Sequence, residues 1–211
     1  MKFNTALNIL VVDDHPAVRV AVKYILNAAG YDKVTQAATG IDAIDEVGRT
    51  AFDIVIMDLD LPHIDGLQVV KRIKRIDPKI RILVLSAMVT NMYLMRCYTA
   101  GVHGFMEKND DIEKLPLVVA NIMKGFTYFP SITPDEKNEY RAGGGDSPIS
   151  CLSDRELVVF NKLVAGKKNL EIANDLFLSN KTISTYKTRI FDKLGVSNIA
   201  ELIEISKGKI Q

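Results

Sequence analysis

Three short apolar runs set the frame for this chain: "LNILVVD" (7–13), "FDIVIMD" (52–58) and "RILVLSA" (81–87). Each is rich in β-branched residues and closes on a polar one, which is how a strand covered on both faces reads. Two weaker runs, "KVTQAAT" (33–39) and "GFMEK" (104–108), are read the same way. Helical patterns lie at 16–29, 41–50, 66–76, 90–100 and 112–124. Strands alternating with helices predict an α/β domain: a doubly wound five-stranded parallel sheet with helices on both faces. Pro116 falls inside the last helical pattern, where a mid-helix proline costs ~3 kcal/mol. A helix starting near Glu113 puts it in the first turn and removes most of that cost.

The runs end on chemistry. Asp13 and Asp14 close the first, Asp58 the third in chain order, Ser86 the fourth and Lys108 the fifth. Ligands of an open parallel sheet bind outside the carboxyl ends of its strands, where the strand order reverses. These five residues are therefore expected in one cleft. Three carboxylates in one cleft repel, so one takes a proton or a cation neutralises them. A hard cation with oxygen ligands answers that need, and Mg²⁺ suits a site that also handles phosphate. A carboxylate there can attack phosphorus, with Lys108 pairing to phosphoryl oxygens and Ser86 donating a hydroxyl hydrogen bond.

After Phe129 the character changes. The stretch "PSITPDEKNEYRAGGGDSP" (130–148) is polar and rich in Pro and Gly, and reads as a flexible linker. It separates a domain at 1–129 from a smaller all-α domain at 149–211. Residues 1–146 hold 17 Lys/Arg against 19 Asp/Glu, a balance of −2; residues 147–211 hold 10 against 7, a balance of +3. The second part can thus face an acidic partner such as nucleic acid. No apolar run approaches the ~20 residues of a membrane span, and "MKFNTALN" lacks a signal-peptide core, so a cytoplasmic protein with no membrane partner is expected. Cys97 and Cys151, far apart in sequence, are read as thiols. Neither they nor His15, His63 and His103 form a zinc spacing.

In the second domain Ser153 and Glu156 make a capping box for a helix that stops at Gly166. A short helix runs from about Asn169 to Leu176. A tight turn leads to Ser179, the N-cap of a helix from Asn180 to Leu194 that ends at Gly195. Two helices joined by a short turn form a helix-turn-helix. Ile183, Ile190 and Leu194 share a face of the last helix and are expected in the core. Lys181, Thr182, Ser184, Thr185, Lys187, Thr188 and Arg189 are the candidate DNA-contacting residues. The three cations are assigned to phosphates, and Ser184, Thr185 and Thr188 to base edges. A further helix, about Asn198 to Ile205, brings Ile199, Leu202, Ile203 and Ile205.

Two resemblances follow. The Asp13-Asp14 pair, "MDLDLPHIDG" (57–66), Ser86-Ala87 and "GFMEK" resemble the flavodoxin-like receiver domain of two-component response regulators. That implies Asp58 as acceptor of phosphate from a phosphohistidine on a sensor histidine kinase. It also implies Mg²⁺ held by Asp13, Asp14, Asp58 and the backbone carbonyl of Asp60. Ser86 and Phe105 would form the switch, Phe105 working by packing because it has no hydroxyl. Asn109 stands where many receivers have proline, and a cis Lys108–Asn109 bond would cost ~2.5–4 kcal/mol. Asp60 and Met88 flank the path of a hydrolytic water. The region 150–208 resembles the LuxR-type output domain, in "LSDRE", Gly166, "EIA" (171–173), Leu176, "LS" (178–179), "KTI" (181–183) and "KLGV" (193–196). Tyr186 stands where that family often has His.

Together these imply a NarL/FixJ-like, phosphorylation-controlled transcription regulator rather than an enzyme. Its partners would be the kinase, double-stranded DNA and a second copy in a homodimer, with RNA polymerase allowed as a further partner. Phosphorylation would promote dimerisation, free the DNA-binding domain, or both. Two alternatives are a receiver-like regulator that does not switch by phosphorylation and a haloacid-dehalogenase-like phosphatase using "DLD" (58–60).

Overall fold

The computed structural model describes residues 6–61, 63–86, 91–108, 110–130, 148–176 and 178–207. The chain divides into two compact units, residues 1–133 and 134–211. Pro62, Ala87, Met88, Asn109 and residues 131–147, which include most of the expected linker, lie outside the described residues.

The first unit holds five parallel strands: β1 (Ile9–Val12), β2 (Val34–Ala37), β3 (Ile54–Met57), β4 (Arg81–Ser86) and β5 (Gly104–Glu107). Their order is β2-β1-β3-β4-β5. All four residues of β1 and of β3 are buried, as continuous apolar runs require of central strands, whereas β2 at the edge exposes Thr35. The helices are α1 (Pro16–Ala28), α2 (Gly40–Arg49), α3 (Gly66–Ile76), α4 (Asn91–Thr99) and α5 (Leu115–Met123). One layer of the core joins Ile9, Val11, Ile54, Ile56 and Leu83 of the sheet to Val22 and Leu26 of α1 and Val118, Val119 and Ile122 of α5.

Local chemistry sets where the helices begin. Pro16 opens α1, where its fixed φ fits and its missing N–H is no loss. Pro116 sits in the first turn of α5, preceded by a 3₁₀ turn at Ile112–Lys114, so the cost of a mid-helix proline does not arise. Thr39 caps α2 by accepting from the Asp42 N–H at 3.1 Å, and Asp65 caps α3 by accepting from Leu67 N–H at 2.9 Å and Gln68 N–H at 3.3 Å.

The second unit is helical: a 3₁₀ turn at Pro148–Cys151, then α6 (Asp154–Val164), α7 (Asn169–Asp175), α8 (Asn180–Leu194) and α9 (Ile199–Ser206). The expected capping box is present. Ser153 Oγ accepts from Glu156 N–H at 3.3 Å, and Glu156 Oε2 accepts from Ser153 N–H at 2.7 Å. Ser179 caps α8 by accepting from Thr182 N–H at 3.0 Å, and Gly195 ends it at φ 66°, a left-handed conformation that suits glycine. The core takes Leu157, Phe160, Ile172, Leu176, Ile183, Ile190, Leu202 and Ile205. Leu194, Ile199 and Ile203 are only partly buried, so the core face of α8 closes at Ile190. Both cysteines are free thiols, Cys97 buried and Cys151 exposed.

His103, between α4 and β5, is a neutral acceptor built into the sheet. Its Nδ1 accepts from the Ile82 N–H at 3.2 Å, and burial together with the charges of Lys74 and Arg81 pushes its pKa down to about 4. The unfolded chain takes up this proton near pH 6.5 and the folded one only near pH 4. The stability this contributes is therefore complete above pH 6.5 and lost as the pH falls toward 4. Urea midpoints measured across that range should fall for the parent and fall less for His103→Gln, which has no titrating ring.

Candidate functional site

The carboxyl edge of the sheet brings the five expected residues together. Backbone bonds continue the ladders one residue past the strands and fix their positions: Asp58 N–H donates to Val12 O at 2.8 Å, Lys108 N–H to Ser86 O at 2.9 Å, and Asp13 N–H to Ala37 O at 3.3 Å. The connections from β1 run to β2 on one side and then to β3 on the other, so Asp13, Asp14 and Asp58 stand where the strand order reverses.

Asp13, Asp58 and Ser86 are nearly sealed from solvent, at 2%, 3% and 1% exposure. Two buried carboxylates side by side need a shared cation, and Lys108 supplies it: its Nζ lies 2.7 Å from Asp13 Oδ2 and 2.6 Å from Asp58 Oδ2. Asp60 N–H donates to Asp58 Oδ1 at 3.1 Å, which fixes the other oxygen. Gly66 lets the loop after β3 fold this tightly. A Cβ there would come 2.5 Å from Leu59 Cα and 2.7 Å from Leu59 O.

Burial and the neighbouring charges shift both partners of the Asp58–Lys108 pair. Burial pushes the Asp58 carboxyl up to about 6, against the pull of Lys108 and with the help of Asp60 and Asp13. Burial pulls the Lys108 ammonium down, but the charge of Asp58 and the hydrogen bonds to Asp13 and Asp58 outweigh it, and its pKa stands above the usual lysine value. Both groups are pushed toward holding protons, Asp58 chiefly by burial and Lys108 by the carboxylates of Asp58 and Asp13.

A cation fits these residues. Asp14 Oδ1 is buried and makes no hydrogen bond of good geometry, although His15 Nδ1 lies 2.7 Å away. Ligand atoms of Asp13, Asp14, His15 and Asp58 all fall within 4.8 Å of one another. The three carboxylates are the hard oxygen donors that Mg²⁺ selects. His15 is an addition to the residues expected from sequence. Its N–H donates to Asp13 Oδ1 at 2.8 Å, and its ring lies 3.2 Å from the same oxygen. Arg19, one turn further on, donates to Asp13 O at 2.6 Å and braces the end of β1. The only sequence signal for either was proximity: α1 starts right after the acid pair.

Phe105 is fully buried on β5, where it can act only through packing. Tyr93 of α4 was also missed. It is 2% exposed, and its hydroxyl is held neutral by burial and by the charges of Asp65 and Asp60.

On α8, Lys181, Ser184, Thr185, Thr188 and Arg189 are exposed, while Thr182, Tyr186 and Lys187 are half-buried. Ser179, Lys181, Thr182, Thr185, Tyr186 and Arg189 line an open concavity of about 300 Å³. Thr185 and Thr188 donate their hydroxyl hydrogens back to Lys181 O at 3.0 Å and Ser184 O at 3.1 Å. They thus present acceptor lone pairs and methyl groups outward. Thr182 is drawn into the cap, its hydroxyl 2.8 Å from that of Ser179. Ser184 donates to Asn180 O at 3.0 Å and accepts from Asn169 Nδ2 at 3.3 Å. Lys187 leans along the helix, its ammonium 5.3 Å from the centre of the Phe191 ring. Glu156 and Lys193, 2.6 Å apart, tie the start of α6 to the end of α8.

The sheet order with its lysine-bridged acids defines the first unit as receiver-like, and the second is a helix-turn-helix. Known proteins agree. The profile of the response regulator receiver domain matches residues 9–120, and that of the bacterial regulatory proteins of the luxR family matches residues 150–206. The virulence-factor transcription regulator BvgA of Bordetella pertussis is 36% identical over 200 residues, 94% of this chain and 96% of BvgA. The DNA-binding transcriptional activator EvgA of Escherichia coli is 29% identical over 204 residues, 93% of this chain and 95% of EvgA. The structure of RcsB from Salmonella enterica serovar Typhimurium, bound to promoter rprA with the phosphomimetic BeF3⁻, aligns with a TM-score of 0.60 at 27% identity. The alignment covers 94% of this chain and 97% of RcsB. The chain belongs to the response regulators, and joins a receiver domain to a luxR-type regulatory domain.

Replacing Lys108 by Met leaves Asp13 and Asp58 facing each other without a cation. The loss should be about 2–3 kcal/mol, below the usual cost of breaking a buried pair because Lys108 keeps some exposure to solvent. A lowered urea midpoint of the receiver measured without added Mg²⁺ would register it.

Proposed function

We propose that this chain is a cytoplasmic, DNA-binding transcription regulator controlled by phosphorylation of Asp58, with residues 1–129 as receiver, 130–148 as linker and 149–211 as output domain. The observation that carries the reading is the Lys108 ammonium joining Asp13 and Asp58 at the edge of the sheet, in a chain that also carries a helix-turn-helix.

An Asp58 carboxylate oxygen attacks the phosphorus of a phosphohistidine on a sensor kinase. A P–O bond forms, the P–N bond breaks, and the imidazole nitrogen leaves with the electron pair. Asp60 N–H orients Asp58 by holding Oδ1. Lys108 stands where it can follow the charge from the carboxylate to the phosphoryl oxygens. Asp13, Asp14 and Asp58, with the Asp60 carbonyl, would hold Mg²⁺, which supplies charge neutralisation for phosphoryl transfer. The acyl phosphate carries about −1.5 to −2 charges where the carboxylate carried one. Ser86 shifts toward it, Phe105 repacks, and the β4–β5 side of the receiver changes its preferred partner. The output is a homodimer that places α8 of each copy in the major groove, with half-sites ~10–10.5 base pairs apart or a multiple of that. RcsB has a solved structure of two dimers bound to two parallel DNAs.

Acetyl phosphate carrying labelled phosphorus, with Mg²⁺, should label the parent once per chain and then stop, and Asp58→Asn should take no label. Sustained release of phosphate from small esters would favour a phosphatase. Beryllium fluoride should raise the DNA affinity or the size of the particle. No change in either would favour a regulator that does not switch.

A further inference from the structure

The turn between α6 and α7 carries Lys167 and Lys168. With Asn169 and Lys187 of α8 they line an open cavity of about 350 Å³. The hydrogen bond from Asn169 to Ser184 sets this cavity flush against the exposed face of α8. Lys167 is already engaged, 2.6 Å from Asp175, a carboxylate that Lys162 shares at 3.3 Å. Among the described residues no ion pair holds the Lys168 or Lys187 side chain; Glu171 Oε2 accepts from the Lys168 backbone N–H at 2.6 Å, and the Lys187 ammonium lies over the Phe191 ring. The first helix of a helix-turn-helix crosses the DNA backbone, and its leading end here is the cavity wall.

We propose that this cavity seats a DNA backbone phosphate, gripped by Lys168 and Lys187, beside the groove-facing residues of α8. The proposal rests on the reading of α8 as a DNA-binding helix. It makes Lys168 a contact, and it gives Lys187, already assigned to a phosphate, a place on the side wall. The test is equilibrium binding of the full chain to a mixed-sequence duplex two helical turns long, over a range of salt. Each lost phosphate contact flattens log K against log salt by about 0.9. Lys168→Gln and Lys187→Gln should each show that change and weaken all sequences alike. Unchanged slopes in both variants, with the parent still binding, overturn the phosphate seat and leave DNA binding by α8 standing. A loss confined to one sequence makes these lysines base readers and also overturns it. A parent with no salt-dependent binding overturns the reading of α8 itself.

A second inference stands on other residues. The chain leaving α5 does not depart at once. Tyr128 bridges Gly104 in parallel, its carbonyl accepts from Phe105 N–H at 2.6 Å, and its own N–H donates to His103 O at 3.1 Å. Phe129 then meets Tyr98 of α4 edge to face, with ring centroids 5.8 Å apart. We infer that the root of the linker is pinned to both β5 and α4, and that the Phe129–Tyr98 contact passes the state of this face to the linker. In the full chain, Phe129→Ala and Tyr98→Ala should keep phosphate uptake on Asp58. Both should shrink the change in DNA affinity that beryllium fluoride induces toward one-fold, and Phe129→Leu, which keeps bulk without the ring, should shrink it partly. The parent's full change in the alanine variants overturns the inference. No induced change in the parent overturns phosphorylation control instead.

Discussion

The receiver is organised around one ammonium group between two buried carboxylates. Lys108 sits within 2.7 Å of Asp13 and 2.6 Å of Asp58, where water is nearly excluded. Unpaired, either acid would protonate or force the edge of the sheet open. Paired, they hold the ends of β1, β3 and β5 in one place, with Ser86 of β4 bonded through its carbonyl to the Lys108 N–H. The remaining acid, Asp14, leaves the pocket with more negative than positive charge. Its carboxylates are the oxygen donors that a hard cation selects.

The sheet order turns that chemistry into a location. Residues at 13, 58, 86 and 108 are remote in sequence, and only a parallel sheet that reverses its order beside β1 gathers them. The same topology links the pocket to the rest of the unit. β5 carries Lys108 at its end and Phe105 within it, and it also carries the hydrogen bond that holds Tyr128. One strand therefore joins the edge of the pocket to the segment that leaves α5.

What was legible in the sequence followed from periodicity and from punctuation. All five strands and the nine α-helices among the described residues stand within a residue or two of where alternation, Pro116, Ser153, Ser179 and Gly195 put them. Each of those signals is local and needs no partner. The pocket was legible because its residues end strands, and strand ends converge by topology. His15 and Arg19 were not: their roles arise from the direction in which α1 leaves the sheet, which no spacing encodes. Tyr93 was hidden as one more aromatic in a helix with a weak pattern. Leu194 was overread because a residue that shares a face with Ile183 and Ile190 reaches the core only if the helix stays against it to the end.

The recognition helix shows where pattern stops and geometry begins. From sequence, Lys181, Lys187 and Arg189 were equivalent cations and Ser184, Thr185 and Thr188 equivalent hydroxyls. Packing separates them. Lys187 bends over Phe191 and joins the wall shared with α7, while Lys181 and Arg189 line the opposite concavity. Ser184 is spoken for by Asn169 and Asn180, whereas Thr185 and Thr188 spend only their hydrogens on the helix and keep oxygen and methyl for the outside. Such a face offers cations at its flanks and acceptors with methyl groups at its centre. Acceptors and methyl groups match the exocyclic amino groups of adenine and cytosine and the methyl of thymine, and the flanking cations match phosphates or the acceptor edge of guanine.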